Sequence, residues 1–342
     1  MRLLNLFYEE PDPDRWLPYD RYPRRVIRRL VRGKLQPGGV MRWFLNLKAG
    51  LDRLGAEYRV NDYGFLRRSP GAWACVVGKS HVVDKIPAGH PIIYGPGVGS
   101  HPFENDFWGR ADIRLMLISC EWFKAMYDRD LRCPVRTAVW PAGIDTELWR
   151  PWSAERRAES GVETLKAEIK TTDFLIYDKV RWEHDQYESS LLQPIRDELK
   201  KRRLSFQEIR YGFYKEEDFR KLLERCRAMI FLCEHETQGF AYLQTLSCGV
   251  PILAWDRGGF WQDPAYYPHK VRFSPVNSVP YWDERCGMKF ENILQFPERL
   301  DGFWEKLQAK TFQPRDYVLE NLTLEKCAQQ YIQLCEQAVN WI

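Results

Sequence analysis

Residues Glu234–Gly259 read EHETQGFAYLQTLSCGVPILAWDRGG. The apolar run just before them, Ala228–Cys233 (AMIFLC), reads as a buried strand. A polar loop, Glu234–Gln238, leads to Gly239. Phe240, Leu243 and Leu246 then recur at helical spacing through Ser247, and Cys248-Gly249 supplies a helix stop. Pro251–Ala254 (PILA) is a second short buried strand. The order strand, loop, helix, strand places the loop at the carboxyl end of the first strand, where open α/β sheets bind their ligands. Backbone N–H groups at the helix start near Gly239 make that end a site for an anion.

The alternation continues in both directions. Upstream, Phe174–Tyr177 (FLIY) is a strand, Ser189–Lys201 a helix, Ser205–Arg210 a strand and Glu216–Cys226 a helix. Downstream, Val271–Ser274 is predicted as a short strand, and Glu291–Ala309 and Leu322–Ala338 as helices. Residues 152–170 are charged and poor in large apolar side chains, as in a linker. Before them a second array runs from the N-terminus. Its strands are Leu3–Tyr8, Glu57–Asn61, Trp73–Gly78, Pro91–Tyr94, Leu115–Ser119 and Val135–Trp140, with a helix over Val40–Leu54. Two βα arrays joined by a linker predict an α/β chain of two Rossmann-like domains, as 342 residues allow.

Three stretches carry a resemblance. Glu236-Thr-Gln-Gly239-Phe240-Ala-Tyr-Leu-Gln244-Thr-Leu-Ser-Cys248-Gly249-Val-Pro251 resembles the donor-binding signature of the retaining GT-B glycosyltransferases of family 4. Pro141-Ala-Gly143-Ile-Asp145-Thr-Glu-Leu-Trp149-Arg-Pro151 is similar to their interdomain segment, with Ala142 in place of an Asn. Ser119–Lys124 is similar to their Ser-x-Trp segment. The signature's two acidic positions, separated by seven residues, hold Glu236 and Gln244 here, so the second carboxylate is an amide.

The resemblance implies the GT-B fold: two Rossmann-like domains facing a central cleft, and a C-terminal helix crossing back to the N-terminal domain. It divides the chain into residues 1–150 on the acceptor side, 171–320 on the donor side and 321–342 as the crossing helix. It implies transfer of a sugar from a nucleotide-sugar donor to a hydroxyl acceptor, retaining and without a metal or other cofactor. Glu236 would contact the hydroxyls of the transferred sugar. Lys179 and Arg181, in the turn after Phe174–Tyr177, would stabilise the departing diphosphate, as fixed cations do where charge develops. Backbone groups of Gln238, Gly239 and Phe240 would hold phosphate oxygens, and Gln244 would meet the ribose. An amide oxygen can accept from one hydroxyl but not from two as a carboxylate does. Tyr211 and Tyr214 offer aromatic faces where the base docks. On the acceptor side, Gly38-Gly39 is the candidate glycine turn, although a tight strand-to-helix connection would read the same way. His101, with Glu104 and Asp106 nearby in a Gly/Pro-rich loop, is the candidate N-domain catalytic residue.

Charge is local. The chain is net +4, yet residues 21–34 alone hold seven cations and no acid, so the remainder is net acidic. They lie in an apparent insertion, 11–37. Pro23 can open a helix there, with Arg24, Arg25, Arg28, Arg29 and Arg32 inside an arc of about 140° and Val26, Ile27, Leu30 and Val31 opposite. Three readings stay open: an anionic membrane surface, a solvated face on a helix packed against its domain, or contact with an anionic acceptor. The patch is too narrow, and too poor in interleaved aromatics, for a nucleic-acid groove. No apolar run reaches a membrane span, and the N-terminus lacks a signal-peptide pattern. Nine cysteines without a C-x-x-C pair fit reduced, buried thiols in a cytoplasmic protein, at most peripheral to a membrane, and give no zinc-ligand spacing. A glycan or lipid-linked acceptor in cell-surface polysaccharide or glycolipid synthesis fits that setting. A GT-B-shaped binding or scaffold protein that has lost catalysis is the alternative, favoured by Gln244.

Overall fold

A computed structural model describes residues 3–11, 23, 38–97, 112–129, 135–152 and 170–340. The basic segment Arg24–Arg32, the linker 153–169, and His101, Glu104 and Asp106 lie outside the described residues. The chain divides into two compact units. One comprises Met1–Ser119, Tyr127–Gly143 and Leu324–Ile342, the other Cys120–Met126 and Ile144–Thr323.

The first unit is built on a six-stranded sheet: β1 Leu4–Phe7, β2 Tyr58–Val60, β3 Ala74–Val76, β4 Ile92–Tyr94, β5 Ile113–Ile118 and β6 Arg136–Val139. Its order is β2-β1-β3-β4-β5-β6, and every pairing is parallel. LNLF of β1 is buried throughout, and its one polar residue, Asn5, donates from Nδ2 to the carbonyl of Trp73 at 3.0 Å. The edge strand β2 (YRV) is polar and half exposed, as edges must be to resist further pairing. Helix Gly39–Arg53 buries Trp43, Phe44, Leu47, Gly50 and Leu51 on one face. A Cβ on Gly50 would lie 2.3 Å from the carbonyl oxygen of Leu324 and 2.8 Å from Cβ of Ala328, so glycine is what lets the C-terminal helix, Leu324–Asn340, pack there. That helix is pinned again by Trp140, whose indole donates to the carbonyl of Cys327 at 2.7 Å. The C-terminal helix therefore completes the N-terminal unit.

The second unit carries β7 Thr172–Asp178, β8 Phe206–Arg210, β9 Cys226–Leu232, β10 Ile252–Trp255 and β11 Gly287–Phe290 in the order β11-β10-β9-β7-β8, all parallel. Counted from its own first strand this is 2-1-3-4-5, the doubly wound order whose direction reverses between the first and third strands. On one face of the sheet the core joins Ile176, Ile230 and Phe290 to Leu191, Ile195 and Phe303 of the covering helices. The predicted strand Val271–Ser274 does not form. Pro268 and Pro275 bracket it and limit the pairing it can offer. The fifth strand is instead Gly287–Phe290 (GMKF), which lacks β-branched residues and is set by its partner β10. Gly287 has φ +143°, and a Cβ there would fall 1.9 Å from the carbonyl oxygen of Ile252.

The segment Ile144–Pro151 is sewn into this second unit. The Asp145 carboxylate accepts from the backbone N–H of Glu147 and Leu148 at 3.1 and 3.2 Å. Arg315 donates to the carbonyls of Thr146, Trp149 and Ser247.

Candidate active site

The reversal in the second unit lies between β7 and β9, and the loops leaving their carboxyl ends hold Lys179, Arg181, Glu236, Gln238 and Gly239 of the site residues read from the sequence. Two buried acids fix those loops. Asp178 ends β7. Its Oδ1 accepts from the N–H of Val180 at 3.0 Å, and its Oδ2 meets His184 Nε2 at 2.7 Å. Glu234 follows β9 and is 1% exposed; its Oε1 accepts from the N–H of Arg181 at 2.7 Å and of Trp182 at 2.9 Å. The turn carrying Lys179 and Arg181 is thereby held from both strands.

Lys179 and Glu236 form a buried ion pair, with side chains 13% and 12% exposed. Burial alone would discharge both groups, but each charge offsets the other's desolvation. Burial pulls Lys179 down and the Glu236 carboxylate more than restores it, so its pKa stands above the ordinary lysine value. Burial pushes Glu236 up, and Lys179, with help from Arg181, brings it below the ordinary carboxyl value. The ammonium also sits 4.6 Å from the centre of the Tyr211 ring. The Glu236 backbone is held twice: its N–H donates to the carbonyl of Asn277 at 2.9 Å, and its carbonyl accepts from Trp122 Nε1 at 2.8 Å.

Arg181 is held differently. Its Nη2 lies 3.1 Å from His235 Nε2, and its guanidinium lies over the Trp182 ring at 4.5 Å. Arginine can only donate, so Nε2 accepts and the imidazole proton resides on Nδ1. His235 is 5% exposed, stacked on Trp182 at 5.1 Å and edge-on to Trp122 at 5.5 Å. Burial, then the charges of Arg181, Arg257 and Lys179, hold it well below the ordinary histidine pKa. Its Nδ1 is buried without a partner, as is Oε2 of Glu234. Such an orphan costs about 1–3 kcal/mol.

Gly239 starts the helix Phe240–Ser247 at φ +72°. A Cβ there would lie 2.0 Å from the Tyr242 ring and 2.8 Å from Cγ of Glu236, so both conformation and space require glycine. The helix has no side-chain cap and no acid in its first turn, which leaves its positive end suited to an anion. Gln238 and Gln244 are buried on either side of this start, at 3% and 6% exposure, and Phe240 is half-buried.

The remaining candidates divide. Tyr211 is half exposed beside Lys179. Tyr214 turns inward: its hydroxyl hydrogen-bonds that of Tyr177 at 2.6 Å, and its ring packs on Phe219. Phe213 is 81% exposed between them. Gly38 and Gly39 begin helix Gly39–Arg53 in the first unit, with no side-chain cap; φ of Gly38 is −65°, and a Cβ on either would meet nothing within 4 Å. Gly95 and Gly97, at the end of β4, are required by packing: a Cβ on Gly97 would fall 1.7 Å from the carbonyl oxygen of Gly78, and one on Gly95 2.2 Å from that of Leu117. Glu234, His235 and Asp178 were not singled out by the sequence. The signal was there, an acid–histidine–acid run closing a buried strand.

Two parallel doubly wound sheets with the C-terminal helix returned to the first unit make the GT-B fold. Known structures of that shape match along the whole chain. Sucrose-phosphate synthase from Thermosynechococcus elongatus is 12% identical with a TM-score of 0.58, covering 100% of both chains. The N-terminal domain of Candida albicans trehalose-6-phosphate phosphatase is 12% identical at 0.55, covering 98% of this chain and 97% of its own. HepE of Anabaena, solved in complex with UDP and glucose, is 10% identical at 0.53, covering 98% and 100%. No family model and no curated protein matches the sequence.

Proposed function

We propose that this chain is a retaining, metal-independent glycosyltransferase of the family 4 type, which moves a sugar from a nucleotide-sugar donor to a hydroxyl acceptor. The observation that carries this reading is the buried Lys179–Glu236 pair, set at the β7/β9 reversal beside the uncapped helix start at Gly239. A buried ion pair is a poor stabiliser, and replacing one with apolar residues often costs nothing. Its presence at the mouth of the sheet calls for a ligand that uses both charges. A sugar diphosphate does so. Lys179 and Arg181 meet the phosphates, Glu236 the sugar hydroxyls, and the helix start a phosphate oxygen. HepE, of the same fold, is a UDP-glucose binder, which supports a nucleotide sugar as donor.

In the reaction, the bond between the anomeric carbon and the diphosphate oxygen breaks and the acceptor oxygen bonds that carbon on the same face. The acceptor's proton passes to the departing phosphate. Charge grows on the phosphate as the bond breaks, and Lys179, Arg181 and the helix start meet it without reorganising. Gly38-Gly39 and His101 act from the acceptor-side domain. The acceptor is a glycan or lipid-linked sugar, reached from the cytoplasmic face of a membrane that the Arg24–Arg32 segment engages.

A thermal-shift panel of UDP-, GDP- and ADP-sugars tests the donor, since binding raises the unfolding midpoint by mass action. The expected result is one nucleotide class with a shift that Glu236→Ala reduces. Turnover unaffected by EDTA, and a product anomer matching the donor's by NMR, test the two qualifiers. Cosedimentation with anionic but not neutral vesicles tests the membrane. A scaffold protein that has lost catalysis, the reading Gln244 favours, would bind the donor and neither transfer nor hydrolyse it.

A further inference from the structure

We propose that His235 is the positioning residue for Arg181, holding its guanidinium ready for the donor's phosphates through the acceptor at Nε2. This deepens the function proposed above and rests on it, since Arg181 has that task only if the site takes a nucleoside diphosphate.

The two cations of the site are held by different means. Lys179 is matched by a full negative charge on Glu236. Among the described residues no carboxylate pairs with the Arg181 guanidinium; its polar side-chain partner is the neutral imidazole at 3.1 Å. A neutral acceptor fixes direction without cancelling charge. A carboxylate in its place would compete with phosphate for the same N–H groups and would repel it. Glu234, one residue earlier, accepts from the backbone N–H groups of Arg181 and Trp182. The dipeptide at the end of β9 thus sets both parts of Arg181: Glu234 its backbone, His235 its side chain.

The slot that holds the imidazole explains why the ring nitrogens matter. Trp182 stacks on it and Trp122 meets it edge-on, a pocket any flat ring would fill. Nδ1 is buried and bonds to nothing. A phenyl ring would fit with no orphaned group, so fold stability alone favours phenylalanine. What imidazole adds is the Nε2 acceptor, and that atom faces Arg181. Burial and the neighbouring charges of Arg181, Arg257 and Lys179 keep the ring unprotonated, the state in which Nε2 can accept.

The test is calorimetric titration of UDP, GDP and ADP into the full chain, with the tightest binder carried into variants. Arg181→Ala is expected to weaken it by roughly 100-fold, the loss of a charge-assisted contact. His235→Phe keeps the stack and removes the acceptor; it should weaken binding about tenfold, while the unliganded unfolding midpoint at pH 7 holds or rises. His235→Gln, whose amide oxygen can replace Nε2, should return affinity to within about threefold. Adding His235→Phe to Arg181→Ala should cost nothing more, because the histidine acts only through the arginine. Undiminished affinity in His235→Phe, a fallen midpoint with no rescue by glutamine, or full additivity in the double variant would each overturn the inference while leaving the donor reading intact. Undiminished affinity in Arg181→Ala would remove Arg181 from the donor site, and this inference with it. If none of the three nucleotides binds the unaltered chain, both fall.

Discussion

The two sheets reverse at equivalent places, between β1 and β3 in the first unit and between β7 and β9 in the second, yet the side chains at their mouths differ in kind. At the first, Glu9 pairs with Lys85 and accepts from the Tyr63 hydroxyl, and Tyr8 donates to Glu10. Lys85 is 47% exposed and Glu9 30%. At the second, Lys179 and Glu236 are almost out of water. Topology makes a crevice in both cases, but burial decides what a charge there does. An exposed pair contributes up to about 1 kcal/mol and is screened by salt. A buried pair is held by its surroundings, and removing one partner strands the other.

The largest expected effect breaks that contrast directly. Glu236→Ala should lower transferase turnover by about 10³-fold, the scale of a lost electrostatic contact at the reacting sugar. It also leaves Lys179 buried without its partner, at about 3–5 kcal/mol of stability. Glu236→Gln separates the two effects, since it keeps shape and one acceptor. Glu9→Ala, at the equivalent place in the first unit, should change turnover by no more than about threefold and stability by less than about 1 kcal/mol. Steady-state kinetics and urea unfolding on the four proteins decide. Equal losses at Glu9 and Glu236 would show that the two crevices do not differ as described.

The next contrast concerns glycines. Gly239→Ala forces a Cβ into the Tyr242 ring at φ +72°, and should cost about 2–4 kcal/mol. Gly38→Ala meets open space at φ −65° and should leave stability unchanged or raise it by about 0.5 kcal/mol. Unfolding midpoints check both. A Gly38→Ala protein that is as stable as the unaltered one but has a raised KM would make the first unit's helix start a ligand contact rather than a simple connection.

Acid separates the crevices further. His235 is held neutral in the folded chain. Its contribution to stability is full above the unfolded histidine value of about 6.5 and is lost as pH falls through it, because the unfolded chain takes up a proton the folded one refuses. One proton gives a slope of about 1.4 kcal/mol per pH unit. Glu236 adds a second loss at lower pH, from the unfolded carboxyl value down through its own depressed one. Lys179, with its value raised, contributes fully below the unfolded lysine value and loses that only as pH rises through its folded one. Denaturant unfolding between pH 7 and pH 5 should therefore show a downward slope that His235→Phe flattens. A slope that persists in the variant places its origin elsewhere.

Much of this was legible in the residues, for local reasons. The helix Phe240–Ser247 begins and ends where its glycines and periodicity place it, and Lys179 and Arg181 stand in the turn after a strand marked by the apolar run Phe174–Tyr177. What the sequence hid is non-local. Glu234 and His235 meet the Lys179–Trp182 turn across more than fifty residues of chain, and no periodicity marks that. The strand Gly287–Phe290 has no β-branched residue and is set by its pairing with β10, while the better-looking Val271–Ser274 pairs with no strand among the described residues. Tyr211 and Tyr214 look alike in sequence, and only packing turns one outward and the other onto Tyr177.

The smallest expected effect concerns the amide that stands where the family pattern has an acid. Gln244 is 6% exposed on a helix whose neighbours Tyr242–Ser247 are all buried. A carboxylate introduced there has the positive helix start one turn away, which favours it, and little water, which does not. Without donor, Gln244→Glu should lower stability by about 1–3 kcal/mol. With donor, two ribose hydroxyls can bond the carboxylate where the amide oxygen takes one, so affinity should hold or rise by a few-fold despite the cost to the free chain. At the first unit's crevice Glu9, paired with Lys85, is already 30% exposed, so the same trade does not arise there. Calorimetry on the variant reads the outcome: a large loss of donor affinity would move the ribose away from Gln244 and leave that side chain a packing residue of the helix.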